Sequence, residues 1–291
     1  MTKLKKILVS SNCQTSGLAL ALKAMLPGMA VHTAPMGIPG TPAFALVEEE
    51  VRDADYWVVS TTNKAALDIA PHAQKIIVPR LVFDAFHPDI AYVQDASGRN
   101  AKGVSGSDYH SSIALWCYTN KVPLEQCISL FRADIFQELG YLDRWSPAVS
   151  ALKSSFTKTS LSFDEFFRPL IGQPPFMHTN NHPRLSAISQ MARMIARDIS
   201  GNPDVMSWPI ETVIQDTLAP GASWPIYPDV GRIYGLQGSY IWKIGSATFY
   251  SSLEAYLSAA YEQYDTSEMQ EWFSPRLAAG RHDAVLSGAL Q

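Results

Sequence analysis

Residues 6–26, KILVSSNCQTSGLALALKAML, decide the fold. Lys6–Ser10 is a short apolar run of the kind that forms a strand buried on both faces. Ser11-Asn12-Cys13-Gln14 reads as a turn, and Ser16–Leu26 as a helix. A thiol is thereby placed at the carboxyl end of a strand and at the start of the following helix. Unpaired helix N–H groups and the helix dipole favour an anion at such a position, which suits a nucleophile or a group touching an acyl centre. A buried structural cysteine is the competing reading of the same residue.

Outward from this unit, the pattern repeats. Met29–Thr33 reads as a strand, Phe44–Val51 as a helix, Ala54–Ser60 (ADYWVVS) as a strand, Ala65–His72 as a short helix and Lys75–Pro79 (KIIVP) as another buried strand. Strands alternating with helices predict an α/β fold, a small parallel Rossmann-like sheet covered on both faces. Ligands of such sheets sit at the carboxyl ends of the strands, here Ser11–Gln14, Thr61–Lys64 and Pro79–Asp84. Met36–Pro42 and Asp95–Asp108, rich in Gly or polar residues, read as loops.

Beyond the second loop the period becomes helical. Leu124, Cys127, Ile128, Phe131, Ile135 and Leu139 predict one amphipathic helix over Pro123–Leu139. Ser162 and Glu165 form a capping box. Pro183 is read as the first residue of a helix to Ser200, and Thr248–Gln263 as a further helix. The expected organisation is an α/β domain over 1–105 carrying Cys13 and a large, mainly helical domain over 106–291.

Bulk properties exclude several classes. The 291 residues are 47% hydrophobic and 17% charged, with a formal net charge of -4, which lacks the basic footprint of a nucleic-acid binder. No stretch approaches the 18 or so uninterrupted apolar residues of a membrane span, and the opening MTKLKKILVSSNCQ has too short an apolar run for a secretory signal. Three cysteines (Cys13, Cys117, Cys127) and no CxxC pair point to a reducing cytoplasm. Oligomeric state is not encoded in these patterns.

The candidate base is His182, in Met177-His178-Thr179-Asn180-Asn181-His182-Pro183. At the N-cap of a helix beginning at Pro183 it would stay neutral and able to accept a proton. His178 and the amides of Asn180 and Asn181 would form its polar surroundings; a cap cluster satisfying backbone groups is the alternative. A second cluster, Phe83-Asp84-Ala85-Phe86-His87-Pro88-Asp89, offers His87 as base and Asp89 or Asp84 as its orienting carboxylate, or simply a rigid turn. His178 and His182 lack the HExxH pattern of a zinc site, so no metal is expected. Neither GxGxxG nor a P-loop is present. Lys64, Arg80 and Arg184, near strand ends or a helix start, are candidates for the phosphates of a cofactor such as coenzyme A. The aromatic segment Trp224–Trp242 either lines a pocket or plugs the core.

Asn12-Cys13-Gln14, Phe86-His87-Pro88-Asp89, Thr179-x-Asn181-His182-Pro183 and Tyr227-Pro228-Asp229-Val230 together resemble the WcbI family of capsular polysaccharide biosynthesis proteins, over about residues 5–245. The resemblance implies a coenzyme A-binding O-acetyltransferase acting on a sugar of a surface polysaccharide. Coenzyme A or acetyl-CoA would be co-substrate, and Cys13 with a histidine from the His87 or His182 cluster would lie at the active centre. Asn12, Gln14 and Asn181 would position groups or stabilise an oxyanion. Ser11, Lys64, Arg80, His178 and Arg184 are the cofactor-binding candidates. Ser11 stands where the family has glycine. Two alternatives compete: a Cys-His esterase or amidase needing no cofactor, and a non-catalytic carbohydrate-binding protein whose aromatic residues stack on sugars.

Overall fold

The structure, a computed structural model, describes residues 4–60, 68–95, 98–267 and 273–291. The N-terminal pattern is realised as β1 (Lys6–Ser10), α1 (Thr15–Met25), β2 (Ala30–Thr33), α2 (Pro42–Val51), β3 (Tyr56–Val59) and β4 (Gln74–Ile77). The four strands form one parallel sheet in the order β2-β1-β3-β4. Every residue of β1 is buried. Leu8 lies beside Trp57 in register, and both join Val47 and Val51 of α2 in one apolar cluster. Ile7, Val9 and Val58, on the opposite face by strand alternation, are equally buried. This covered sheet is the α/β fold expected from the sequence.

Because β2 and β3 lie on opposite sides of β1, the strand order reverses there. The carboxyl end of β1 is thus a topological switch point, where open α/β sheets bind ligands. The turn expected at Thr61–Lys64 and the first three residues of the helix expected at Ala65–His72 lie outside the described residues.

The chain divides into two compact units, each assembled from several segments. The first comprises residues 1–82, 150–177 and 181–219; the second comprises 83–149, 178–180 and 220–291. The C-terminal half of the sequence contributes to both units. In the first unit α1 packs on the helix Leu185–Ser200. The approach is close: a Cβ on Gly17 would sit 3.1 Å from Thr217 Oγ1 and 3.2 Å from a methyl of Ile188.

Three expected elements differ. The single helix over Pro123–Leu139 is two, Leu124–Ser129 and Ala133–Glu138, separated where Arg132 turns extended (φ -141°, ψ 160°). There Arg132 binds Asp134 and the Ser129 carbonyl, while Leu130 and Phe131 remain buried. Thr248–Tyr250 is a strand paired with Trp242–Ile244, and the helix starts at Leu253, capped by Ser252. A Thr-Phe-Tyr triplet favours extended backbone, and Gly245 at φ 67° makes the turn. The helix expected from Pro183 begins at Leu185, with Arg184 as N-cap and Pro183 bridged to Met177. Asp216 fixes this start by accepting from the Leu185 N–H at 2.9 Å. The Ser162 cap is as expected, accepting from the Glu165 N–H.

Candidate active site

The turn after β1 is organised by Asn12. Its Oδ1 accepts from the Gln14 N–H at 3.0 Å, and its carbonyl accepts from the Thr15 N–H and hydroxyl. Thr15 Oγ1 in turn accepts from the Ser11 N–H at 2.9 Å. These bonds pin a turn whose apex is Cys13, and Cys13 is exposed while Ser11 and Gln14 beside it are buried. The sulfur lies 3.9 Å from Asn12 Oδ1.

Valences are left open here. No acceptor among the described residues takes the N–H of Ser16 or Gly17, in the first turn of α1. Gln14 is fully buried, yet neither heteroatom of its amide has a partner among the described residues. Backbone N–H groups gathered at a helix start form an anion site. A cleft of about 470 Å³ adjoins the turn, lined by Ser11, Asn12, Thr15 and Ser16 on one side and Thr33–Met36 on the other.

The electrostatics correct one expectation. Partial withdrawal from water pushes the Cys13 thiol up, and this outweighs the lowering by its own backbone N–H and by the Arg80 charge. In the unliganded chain Cys13 is therefore a thiol at neutral pH, and its use as a nucleophile requires a base.

The other expected site residues divide between the units. Arg80, Asn181, His182 and Arg184 belong to the first, with Cys13. His182 is half-buried and stands two residues before the N-cap, so the helix start does not act on it in the way expected of an N-cap. Arg184 lines a different cavity from the one beside Cys13. Lys64 lies outside the described residues.

His87, Asp89 and His178 belong to the second unit. The buried His178 places Nδ1 3.2 Å from Ser223 Oγ, and its carbonyl accepts from the Trp224 N–H. Asp89, fully buried, does not hold His87. Its carboxylate accepts from the hydroxyls of Tyr227 at 2.7 Å, Ser112 at 2.8 Å and Tyr141 at 3.0 Å, and from the Ile113 N–H. With both hydroxyl protons of Ser112 and Tyr141 committed to the carboxylate, His282 Nε2 donates to those oxygens, 2.9 and 3.1 Å away. Two of the motifs singled out in the sequence, the one ending in Asp89 and the one opening with Tyr227, thus meet in a structural network. Tyr141 and His282 carry no local signal that would have joined them to it. The aromatic segment plugs the core: Trp242 stacks on Tyr256 at 4.2 Å, and both are buried with Trp224 and Tyr227.

Among the described residues no group of three or more His, Cys, Asp or Glu stands together to hold a metal. No helix there is long and apolar enough to cross a membrane.

A four-stranded parallel sheet with an exposed cysteine on its switch-point turn defines an α/β protein with a thiol-centred candidate site. The chain belongs to the WcbI family, described as polysaccharide biosynthesis enzymes, whose model matches residues 6–204. No curated protein matches the sequence. Among solved structures it is similar to one of "WcbI, a novel polysaccharide biosynthesis enzyme", described as the native protein without a disulfide bond between coenzyme A and a cysteine. That likeness has a TM-score of 0.71 at 15% identity and covers 98% of this chain and 96% of the other, which is a likeness of fold.

Proposed function

We propose that the chain is a coenzyme A-dependent O-acyltransferase acting on a sugar hydroxyl in polysaccharide biosynthesis, with Cys13 at its reaction centre. The observation that carries the reading is the exposed Cys13 on a pinned turn whose neighbouring N–H groups and buried amide have no partners among the described residues. The family's role in polysaccharide synthesis supports it, as does the naming of coenzyme A beside a cysteine for the similar structure, which is described as lacking a disulfide between the two.

The residues present fit such a co-substrate. The Arg80 charge suits phosphate oxygens, the open Ser16 and Gly17 N–H groups beside Cys13 suit an oxyanion, and the adjoining cleft is within the size of small-molecule pockets. When bound, coenzyme A supplies the acyl group as a thioester. The chain's own contribution is to position the reacting carbonyl against the Cys13 turn and to offer N–H donors to the oxyanion, each such donor being worth about 3 kcal/mol. His182, in the same unit as Cys13, takes the proton either from Cys13, which then displaces coenzyme A as its free thiol to give an acyl-enzyme, or from the acceptor hydroxyl, with Cys13 then a positioning residue.

Intact-mass spectrometry under acetyl-CoA turnover separates these routes. A mass gain of one acetyl group on wild type and none on Cys13→Ser is the expected result for the covalent route. Transfer to a sugar without any trapped adduct points to direct attack. Loss of acetyl groups to water alone, unaffected by any sugar, would make the protein a hydrolase. Under the binding-protein alternative, the buried Trp224, Tyr227 and Trp242 would not be among the aromatic residues that stack on a sugar.

A further inference from the structure

A second cavity, of about 480 Å³, opens in the first unit at the start of the helix Leu185–Ser200. Its charged and polar walls include Arg184, Ser186, Gln190, Arg193, Glu211 and Asp216; Gln173, prolines and leucines supply the rest.

Half of these groups are spent on the fold. Arg193 pairs with Glu211 and donates to the Trp208 carbonyl. Asp216 accepts from the N–H groups of Leu185, Leu218 and Ala219. The others keep unused capacity. Arg184 donates through Nε to the Met177 carbonyl at 3.2 Å, and its two terminal NH2 groups have no partner among the described residues. Burial pulls the Arg184 pKa down despite the nearby Asp216, as expected of a guanidinium partly withdrawn from water. Gln190 is only 5% exposed, and Nε2 is fixed by the Glu165 carbonyl at 3.0 Å. Its Oε1 has no partner among the described residues, and neither has the Ser186 hydroxyl.

A forked cation, a buried amide carbonyl and a hydroxyl, set among prolines, match an anionic group, ring hydroxyls and the C–H face of a sugar. We propose that this cavity binds a monosaccharide unit bearing a carboxylate or phosphate, with Arg184 on the anionic group and Gln190 and Ser186 on ring hydroxyls. The site is separate from the cleft beside Cys13 and does not depend on acyl transfer there.

Calorimetric titration of the full chain tests this with glucuronate, glucose 6-phosphate, glucose, inorganic phosphate and coenzyme A as probes. At least one of the two anionic sugars should bind at least about tenfold more tightly than glucose, and Arg184→Gln should erase that difference. Gln190→Leu should weaken the same sugar, while Cys13→Ser should leave its binding unchanged. Which anionic sugar binds identifies carboxylate or phosphate as the recognised group. The proposal is overturned by equal binding of glucose, by indifference to Arg184→Gln in a variant with an unaltered melting curve, or by no binding of either anionic sugar. Inorganic phosphate binding as tightly as the sugar phosphate, or displacement of the sugar by coenzyme A, overturns it equally.

Discussion

The Asp89 network and the Cys13 turn are both dense in polar groups, but they are built on opposite terms. At Asp89 the carboxylate is enclosed by three hydroxyls and a backbone N–H, drawn from residues as far apart as Ser112 and Tyr227. At Cys13 a tight set of local bonds fixes the backbone, and then two N–H groups and a buried amide are left unanswered among the described residues. A network closed on itself holds a fold together. One pinned and left open costs stability, and such a cost is tolerated where a ligand or a reaction uses the open groups.

Asp89→Ala should break the closed network with the largest effect. It strands four buried donors at about 1–3 kcal/mol each, so urea denaturation should show a loss of at least about 4 kcal/mol. Asp89→Asn, which keeps an acceptor oxygen, should lose markedly less. Equal stability of Asp89→Ala and wild type would refute the structural reading of this carboxylate.

His282 sets the next effect. Its Nε2 carries the donated proton, so Nδ1 is the bare nitrogen, and it is buried without a partner among the described residues. Burial, with the charges of Arg276 and Arg281, lowers its pKa to about 4 from the usual 6.5. The unfolded chain therefore binds this proton first. Stability is intact above about pH 6.5 and declines as pH falls towards 4, by up to about 3 kcal/mol. Denaturation midpoints at pH 7, 5 and 4 should show that decline in wild type and a shallower one in His282→Gln.

The smallest change sharpens the open side of the comparison. Gln14→Leu removes two buried heteroatoms that have no partner and should raise stability by about 1 kcal/mol. Acyl transfer should fall in the same variant if the amide serves the reaction. A gain in stability with full activity would assign Gln14 no part in the chemistry.

The sheet was legible because its signals are local. The apolar run of β1 and the Tyr-Trp-Val-Val of β3 each declare a buried strand within a few residues. The break at Leu130–Arg132 was not legible. The apolar spacing runs straight through it, and the competing bonds of Arg132 to Asp134 and Ser129 overrule that spacing. At the candidate site, the position of Cys13 followed from strand-turn-helix order. The direction of its pKa did not, since that depends on how far the folded chain withdraws the sulfur from water. Asp89 was read as the partner of a neighbouring histidine because nothing near it in sequence announces Tyr227 or Tyr141, whose hydroxyls claim the carboxylate.

The segmented make-up of the first unit has a consequence for synthesis. The four strands have all been translated by Ile77, but the helix that packs against α1 at Gly17 ends at Ser200, and the unit's last segment at Ala219. At about 5–20 residues per second, a nascent sheet waits on the order of ten seconds for that cover. During that interval the face of α1 destined for the later helix is open to other chains and to chaperones. The turn bearing Cys13 is thus sketched early by its own local bonds, and its supporting helix is seated only when most of the protein has been made.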